Sequence, residues 1–211
     1  MDILDRIRHR AASRPQHIVL PEGNDPRTVV AAAEATSRRI ARITVLGNDE
    51  TIRSIARDSR LDLGGVTIID HKRAADFEKM VALFHELRRA KGLMADEART
   101  LVSDPLYYGN LMVRSGLADG SVAGATNTTS HTVRAALHCI GVRSGFKLVS
   151  SFFLMALRKW VGGWYLLSRV PRAKKLVTFP MLLPPGLDEM KWILSAATRH
   201  RQTILWKSAA A

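Results

Sequence analysis

The sequence is poor in residues that several classes of protein require. It has a single cysteine, Cys139, which excludes an internal disulfide and a cysteine metal cluster. The longest apolar run, LVSSFFLMAL at 148–157, is about half the length of a membrane-spanning helix, so we predict a buried strand there. The N-terminal segment MDILDRIRHR lacks the apolar core of a signal peptide. We therefore expect a protein of the reducing cytoplasm without a membrane segment.

Acidic residues are scarce in the last quarter of the chain. The 211 residues include 32 Lys and Arg against 19 Asp and Glu, a formal net charge of +13. Residues 1–157 hold 22 of the basic and 17 of the acidic residues, which leaves 10 and 2 for residues 158–211. All four tryptophans also lie in that last part. The break in composition predicts a first domain at 1–157 and a divergent, basic, Trp-rich tail at 158–211.

The first 157 residues alternate between strand and helix patterns. Asp25 is a suitable N-cap for a helix whose first residue is Pro26. Strands are predicted at 17–20, 42–47, 66–70, 119–124 and 147–157, and helices from 3, from 26, and at 51–60, 74–90, 95–102, 106–115 and 130–140. Strands separated by helices imply parallel crossovers. We therefore predict an α/β fold, a three-layer αβα arrangement with a mostly parallel sheet whose ligands lie at the carboxyl ends of the strands.

The stretch GATNTTSHTVRAAL, at 124–137, follows the fourth predicted strand. Small residues at its start let a ligand approach the backbone, and Thr128, Thr129 and Ser130 offer hydroxyl groups, one of which can cap the helix. Arg134 lies one turn beyond Ser130 on the same face. A helix start, several donors and a guanidinium suit phosphate. The alternative is a hydroxyl-rich cap followed by a solvated arginine.

Three further features have both a functional and a structural interpretation. HELRRAKGL, at 85–93, is a basic helix end that solvent and the helix dipole favour, although Arg88 or Arg89 could reach a ligand. His131 could act as a general base, but its place beside a helix cap favours a surface histidine. Cys139 lies on an apolar helix face, where filling the core is the better interpretation than a nucleophile.

Five segments, in order and with consistent spacing, resemble one enzyme family. They are LPEGNDPRTVVAAA, VLGNDETIR, FHELRRAKGLMADEARTLVSDPLYYGNLMV, DGSVAGATNTTSHTVRAAL and GFKLVSSFFLMAL. Together they resemble the N-terminal half of phosphate acetyltransferases (phosphotransacetylases), a family that includes phosphate butyryltransferases. The likeness covers about residues 1–157.

The resemblance implies a fold similar to isocitrate and isopropylmalate dehydrogenases, with a cleft between two α/β domains. It implies reversible acetyl transfer between acetyl-CoA and phosphate, giving acetyl phosphate and CoA. In the family an aspartate helps deprotonate the CoA thiol, and arginines hold the phosphate; these correspond to Arg88, in GluLeuArg at 86–88, and Arg134, in ThrValArg at 132–134. CoA is then a substrate, no metal or separate cofactor is expected, and relatives are often dimers.

The sequence also departs from the family pattern. His131 stands where many relatives have aspartate, and Ala135 where they often have proline. The family's catalytic aspartate belongs to the second half, so no catalytic residue is assigned here. The alternative function is that of a truncated, inactive protein that still binds phosphate or CoA.

The tail at 158–211 has two explanations. A frameshift is the first, and translation of the other two reading frames beyond codon 157 tests it. The second is a module that contacts nucleic acid or a membrane surface. We expect that the chain does not bind a membrane, and we regard nucleic-acid binding only as the minor alternative.

Overall fold

A four-stranded parallel sheet lies at the centre of the fold. The computed structural model describes residues 3–142 and the strands at 150–155, 165–168, 179–181 and 203–206. The parallel strands are β1 (Gln16–Leu20), β2 (Ala41–Leu46), β3 (Val66–Ile69) and β4 (Gly120–Ala123). Their order is β3-β2-β1-β4, so β1 and β4 are neighbours although five α-helices separate them in the sequence. Segments that follow β1 and β4 therefore start at the same edge of the sheet.

Helices cover both faces of this sheet, which confirms the predicted αβα layers. They are α1 (Ile3–Ser13), α2 (Pro26–Ser37), α3 (Asp49–Asp58), α4 (Phe77–Arg88), α5 (Ala95–Val102), α6 (Pro105–Ser115) and α7 (Thr129–Cys139), with 3-10 turns at His71–Arg73 and Arg89–Lys91. Val19 packs with the buried side chains of α4 to α7, whereas Ile18 and Leu20 pack with those of α2 and α3. Successive strand residues point to opposite faces, so one apolar strand contributes to both cores. No helix in the described ranges is long and apolar enough to span a bilayer.

The helix boundaries follow the capping residues. Asp25 caps α2 by accepting a hydrogen bond from the Arg27 backbone N–H at 2.8 Å, and Pro26 is the first helical residue, as predicted. The helix predicted at 74–90 is shorter, because α4 begins at Phe77 and its last residues form a 3-10 turn that ends at Gly92, whose φ is 82°. Its apolar stripe is buried as predicted, at Phe77, Met80, Val81 and Phe84.

The fifth strand does not join the parallel sheet. The strand predicted at 147–157 is present as β5 (Ser150–Met155), but it pairs antiparallel with β6 (Tyr165–Ser168) and β7 (Phe179–Met181) in a second sheet. The edge of β4 is instead occupied by β8 (Thr203–Trp206), which runs antiparallel to it. An apolar run predicts a strand but does not determine the strand with which it pairs. The prediction of a parallel crossover into β5 is therefore wrong.

Candidate anion-binding site

The bend Gly124–Asn127 is built around a buried carboxylate from another part of the chain. Oε2 of Glu22 accepts hydrogen bonds from the backbone N–H groups of Gly124 and Ala125, both at 2.7 Å. Oε1 accepts from the N–H groups of Thr126 at 2.9 Å and Asn127 at 2.8 Å, and from the side chains of both residues. The anion that these backbone donors hold is therefore internal, which corrects the prediction that a ligand approaches the backbone of this bend.

The charge of Glu22 is stabilised in place. Glu22 is only 7% exposed, and this burial alone would raise its pKa. The hydrogen bonds from Thr126, Asn127 and Ala125 outweigh burial and hold the pKa below its usual value. A second contact fastens the same bend, because the Arg27 guanidinium donates to the Ala125 carbonyl oxygen at 2.7 Å. The bend is thus a rigid support for the start of α7.

Sequence reasoning missed Glu22, although a signal for it exists. Glu22 lies two residues beyond the end of β1, and Gly124 lies directly after β4. Because β1 and β4 are adjacent and parallel, both segments leave the sheet at the same edge. The pairing of β1 with β4 was the missing fact, since the order of strands in the sheet differs from their order in the sequence.

The three predicted hydroxyl residues lie at the start of α7, with different roles. Thr128 is the N-cap, and its hydroxyl accepts from the His131 backbone N–H at 3.3 Å, which confirms that one hydroxyl caps the helix. Thr129 and Ser130 are exposed. They line an open depression of about 670 Å³ along α7, together with Val133, Arg134, Leu137 and His138. Hydroxyl donors and a guanidinium thus share one concave surface.

Arg88 and Arg134 come from different helices and act on the same region. Arg88 is half-buried in the last turn of α4, and Arg134 is exposed in the middle of α7. Both guanidinium charges lower the pKa of His138, after the larger effect of burial, and both act on the Tyr107 phenol. Within the part of the chain that the structure describes, neither arginine has an ion pair or a hydrogen bond. Arg134 therefore lines the depression, and Arg88 acts on His138, which lines it too.

Arg89, the other arginine of the basic helix end, pairs with an acidic side chain near it in the sequence. Its guanidinium forms an ion pair with Glu86 at 2.7 Å, and both side chains are more than half exposed. Such a surface pair contributes little to stability and leaves no free charge for a ligand. Of the two arginines considered in HELRRAKGL, Arg88 is the one that faces α7.

His131 lies at the surface, as expected, with 38% of its side chain exposed, and it contacts two partners. Nε2 lies 3.0 Å from Asp104 Oδ2, and Nδ1 lies 3.0 Å from Asn127 Oδ1. The Asn127 amide nitrogen donates to Glu22, so its oxygen is the atom that faces the imidazole. Both ring nitrogens therefore lie within hydrogen-bond distance of side-chain oxygens. His131 therefore ties the bend to the start of α6.

Cys139 belongs to the core, as predicted. It is 2% exposed, and its thiol lies 3.7 Å from the Tyr107 carbonyl oxygen. Burial raises the pKa of the thiol well above its ordinary value, so the thiolate needed for nucleophilic attack does not form at neutral pH. The polar groups that line the depression on α7 are two hydroxyls, one guanidinium and one imidazole.

The fold and site define an α/β protein in which arginines from two helices act on the same phenol and imidazole. The sequence profile described as "Phosphate acetyl/butaryl transferase" matches residues 2–176. The chain belongs to this family of acyltransferases, which confirms the resemblance found in the sequence.

Relatives and solved structures agree with this assignment. Phosphate acetyltransferase of Acetivibrio thermocellus is 43% identical over 157 residues, covering 74% of this chain and 47% of the relative. That of Corynebacterium glutamicum is 36% identical over 196 residues, covering 90% and 60%. A phosphotransacetylase from Streptococcus pyogenes has a TM-score of 0.73 at 34% identity, over 78% of this chain and 49% of that one. The chain spans between 21% and 60% of the length of these and other curated relatives that it matches.

Proposed function

We propose that this chain takes part in phosphate acetyltransferase-type acyl transfer in the cytoplasm, with acetyl-CoA and inorganic phosphate as substrates and acetyl phosphate and CoA as products. Family membership supports the reaction class. The observation that carries the proposal for the site is the pair of uncompensated cations, Arg88 and Arg134, beside the hydroxyl groups of Thr129 and Ser130. Two guanidinium groups and a helix start suit a phosphate dianion.

In this reaction the substrate phosphate and the phosphoryl group of acetyl phosphate occupy the same cations. In the direction of acetyl-CoA synthesis, the CoA thiol loses its proton to a base, the sulfur forms a bond to the acetyl carbon, and the bond from that carbon to the phosphate oxygen breaks. Phosphate leaves with the electron pair of that bond. Arg88 and Arg134 stabilise the charge on the leaving oxygens, a contribution that fixed cations make without reorganisation. Thr128 acts indirectly, by fixing the first turn of α7.

Titration calorimetry with inorganic phosphate tests the site. We expect Arg134→Ala to weaken phosphate binding by about 10- to 100-fold, because a charge-assisted hydrogen bond contributes about 1.5–3 kcal/mol. Arg88→Ala should have a similar effect. Arg53→Ala is the matched control, since Arg53 is an exposed arginine on α3 that pairs with Asp49. Equal phosphate affinities for wild type and Arg134→Ala would refute the site.

Turnover is a separate question, tested by CoA release from acetyl-CoA with and without phosphate. The resemblance assigns the thiol base to an aspartate outside the half of the family that the chain matches. A second candidate function is binding of phosphate or CoA without turnover. Phosphate-dependent CoA release that disappears in Arg134→Ala supports the enzyme; calorimetric binding without release supports the second candidate.

The boundary at residue 157 stays a prediction. The family profile extends to residue 176, and the match to the Corynebacterium relative covers 196 residues. We propose that residues 1–157 carry the phosphate site and that residues 158–211 are divergent. Translation of the alternative frames beyond codon 157 remains the direct test, and a family-like second half in neither frame would remove the frameshift explanation.

A further inference from the structure

His138 lies in the proposed phosphate site without a role so far. It follows Arg134 by one helical turn on α7, and its half-buried ring lines the same depression. Its Nδ1 is 3.3 Å from the Tyr107 hydroxyl oxygen. Within the described ranges that hydroxyl has no other partner, and burial raises the pKa of the phenol, so Tyr107 stays neutral. This contact holds the Nδ1 side of the His138 ring against Tyr107.

Among the described side chains, four groups act on His138. They are Arg134 on α7 itself, Arg88 on α4, Lys91 in the 3-10 turn after α4, and Tyr107 on α6. Burial lowers the pKa of His138 most, followed by the charges of the two arginines and the lysine. Like Arg88 and Arg134, Lys91 has no ion pair within the described part of the chain. Three cations thus repel a fourth charge at the imidazole.

We propose that His138 is a proton-coupled ligand of this site: its ring gains a proton when a phosphate-type dianion binds beside Arg88 and Arg134. The proposal rests on the proposed function of the site. A dianion offsets the three positive charges that disfavour an imidazolium, and it offers acceptor oxygens to an N–H donor. The protonated ring then becomes a further cation of the site. His138 discriminates a dianion from a monoanion, because the monoanion offsets less charge.

Linkage fixes the direction of the resulting pH dependence. If the bound state carries more protons on His138 than the free state, binding must tighten as the pH falls. As the pH falls, the anion affinity begins to rise near the pKa of His138 in the anion-bound protein. It stops rising below the pKa of His138 in the free protein, which is lowered from 6.5. One fully coupled proton changes the affinity about tenfold per pH unit, so partial coupling from about pH 8 to about pH 6 gives about tenfold in total.

Sulfate is the probe that isolates this effect, because it is a dianion that does not itself titrate in this range. Calorimetry on the full chain, in two buffers with different ionisation enthalpies, gives both the affinity and the number of protons taken up. We expect wild type to bind sulfate about tenfold more tightly at about pH 6 than at about pH 8, with uptake of up to one proton. His138→Gln keeps a side-chain N–H donor and should bind sulfate with less than about a twofold pH effect and no uptake.

Two further variants separate the possible failures. His9→Gln changes an exposed histidine of α1 and should retain the wild-type proton uptake. Tyr107→Phe removes the hydroxyl that faces Nδ1, so His138 should titrate at a different pH while uptake persists. Sulfate binding that Arg134→Ala abolishes, but that takes up no proton in wild type, overturns the proposal for His138 and leaves the phosphate site intact. Absence of both sulfate and phosphate binding in wild type overturns the site and the His138 proposal together.

Discussion

Substitution of Glu22 should destabilise the protein far more than substitution of an ordinary surface glutamate. In Glu22→Gln an amide nitrogen replaces one carboxylate oxygen. If it replaces Oε2, the N–H groups of Gly124 and Ala125 lose their acceptor and face a donor instead. If it replaces Oε1, the backbone and side-chain donors of Thr126 and Asn127 lose theirs. Either orientation leaves at least two donors of a half-buried bend without a partner.

The structure sets the size of this effect. A hydrogen bond to a charged group contributes about 1.5–3 kcal/mol, although bonds that share one carboxylate do not add fully. Loss of two such bonds should lower the free energy of unfolding by about 2–4 kcal/mol in Glu22→Gln. Glu22→Ala removes the acceptor for all the donors and opens a cavity, so we expect about 3–5 kcal/mol.

Urea unfolding followed by circular dichroism measures the change in the free energy of unfolding. Glu34→Gln is the matched control, because Glu34 is a partly exposed glutamate on α2 that pairs only with Arg38 and should contribute less than about 1 kcal/mol. If Glu22→Gln and Glu34→Gln shift the midpoint equally, the carboxylate does not hold the bend as described.

The pH dependence gives a second readout of the same carboxylate. The folded-state pKa of Glu22 is lowered, so its charge stabilises the fold above its ordinary pKa of 4.5, and this stability is lost as the pH falls through the lowered folded value. The difference in unfolding free energy between wild type and Glu22→Gln should therefore shrink as the pH falls below about 4.5. A difference that stays constant from neutral pH into this acid range would contradict the assignment.

Three other substitutions or labels test separate features. Cys139 should react with a thiol reagent only after denaturation, because burial raises the pKa of its thiol and blocks access; rapid labelling of the native protein would contradict this. Gly23→Ala places a Cβ 2.5 Å from the Leu46 carbonyl oxygen. Thermal unfolding should therefore give a lower melting temperature, which corresponds to a loss of about 2–4 kcal/mol in the free energy of unfolding. Thr128→Ala removes the helix cap and should lower the free energy of unfolding by about 1 kcal/mol, more than the control Thr129→Ala.

Local chemistry made most of the fold predictable from the sequence. Asp25 and Pro26 define a helix start by themselves, and the apolar stripe that begins at Phe77 repeats with the helical period. Each of these signals depends on residues within a few positions of one another. The partner of β5 could not be predicted in this way, because hydrogen-bond pairing between strands depends on which sheet edge is free in three dimensions.

The candidate site shows the same division. The cap at Thr128 and the placement of Thr129, Ser130 and Arg134 on one helix follow from local spacing. The partner of the bend, Glu22, lies more than a hundred residues away and becomes visible only when β1 and β4 are known to be neighbours. The effects of Arg88 and Lys91 on His138, which lies on another helix, likewise depend on tertiary packing.

The internal carboxylate determines where an external anion can bind. An isolated bend of four N–H groups at a helix start is a ready anion site, and its sequence suggests that use. Glu22 already satisfies those donors, and a second anion entering the bend would meet its negative charge. In the site that we propose, phosphate binding therefore depends on the side chains along α7 and on Arg88 from α4. The bend contributes rigidity, while in this proposal the two arginines and the imidazole of His138 recognise the charge of the anion.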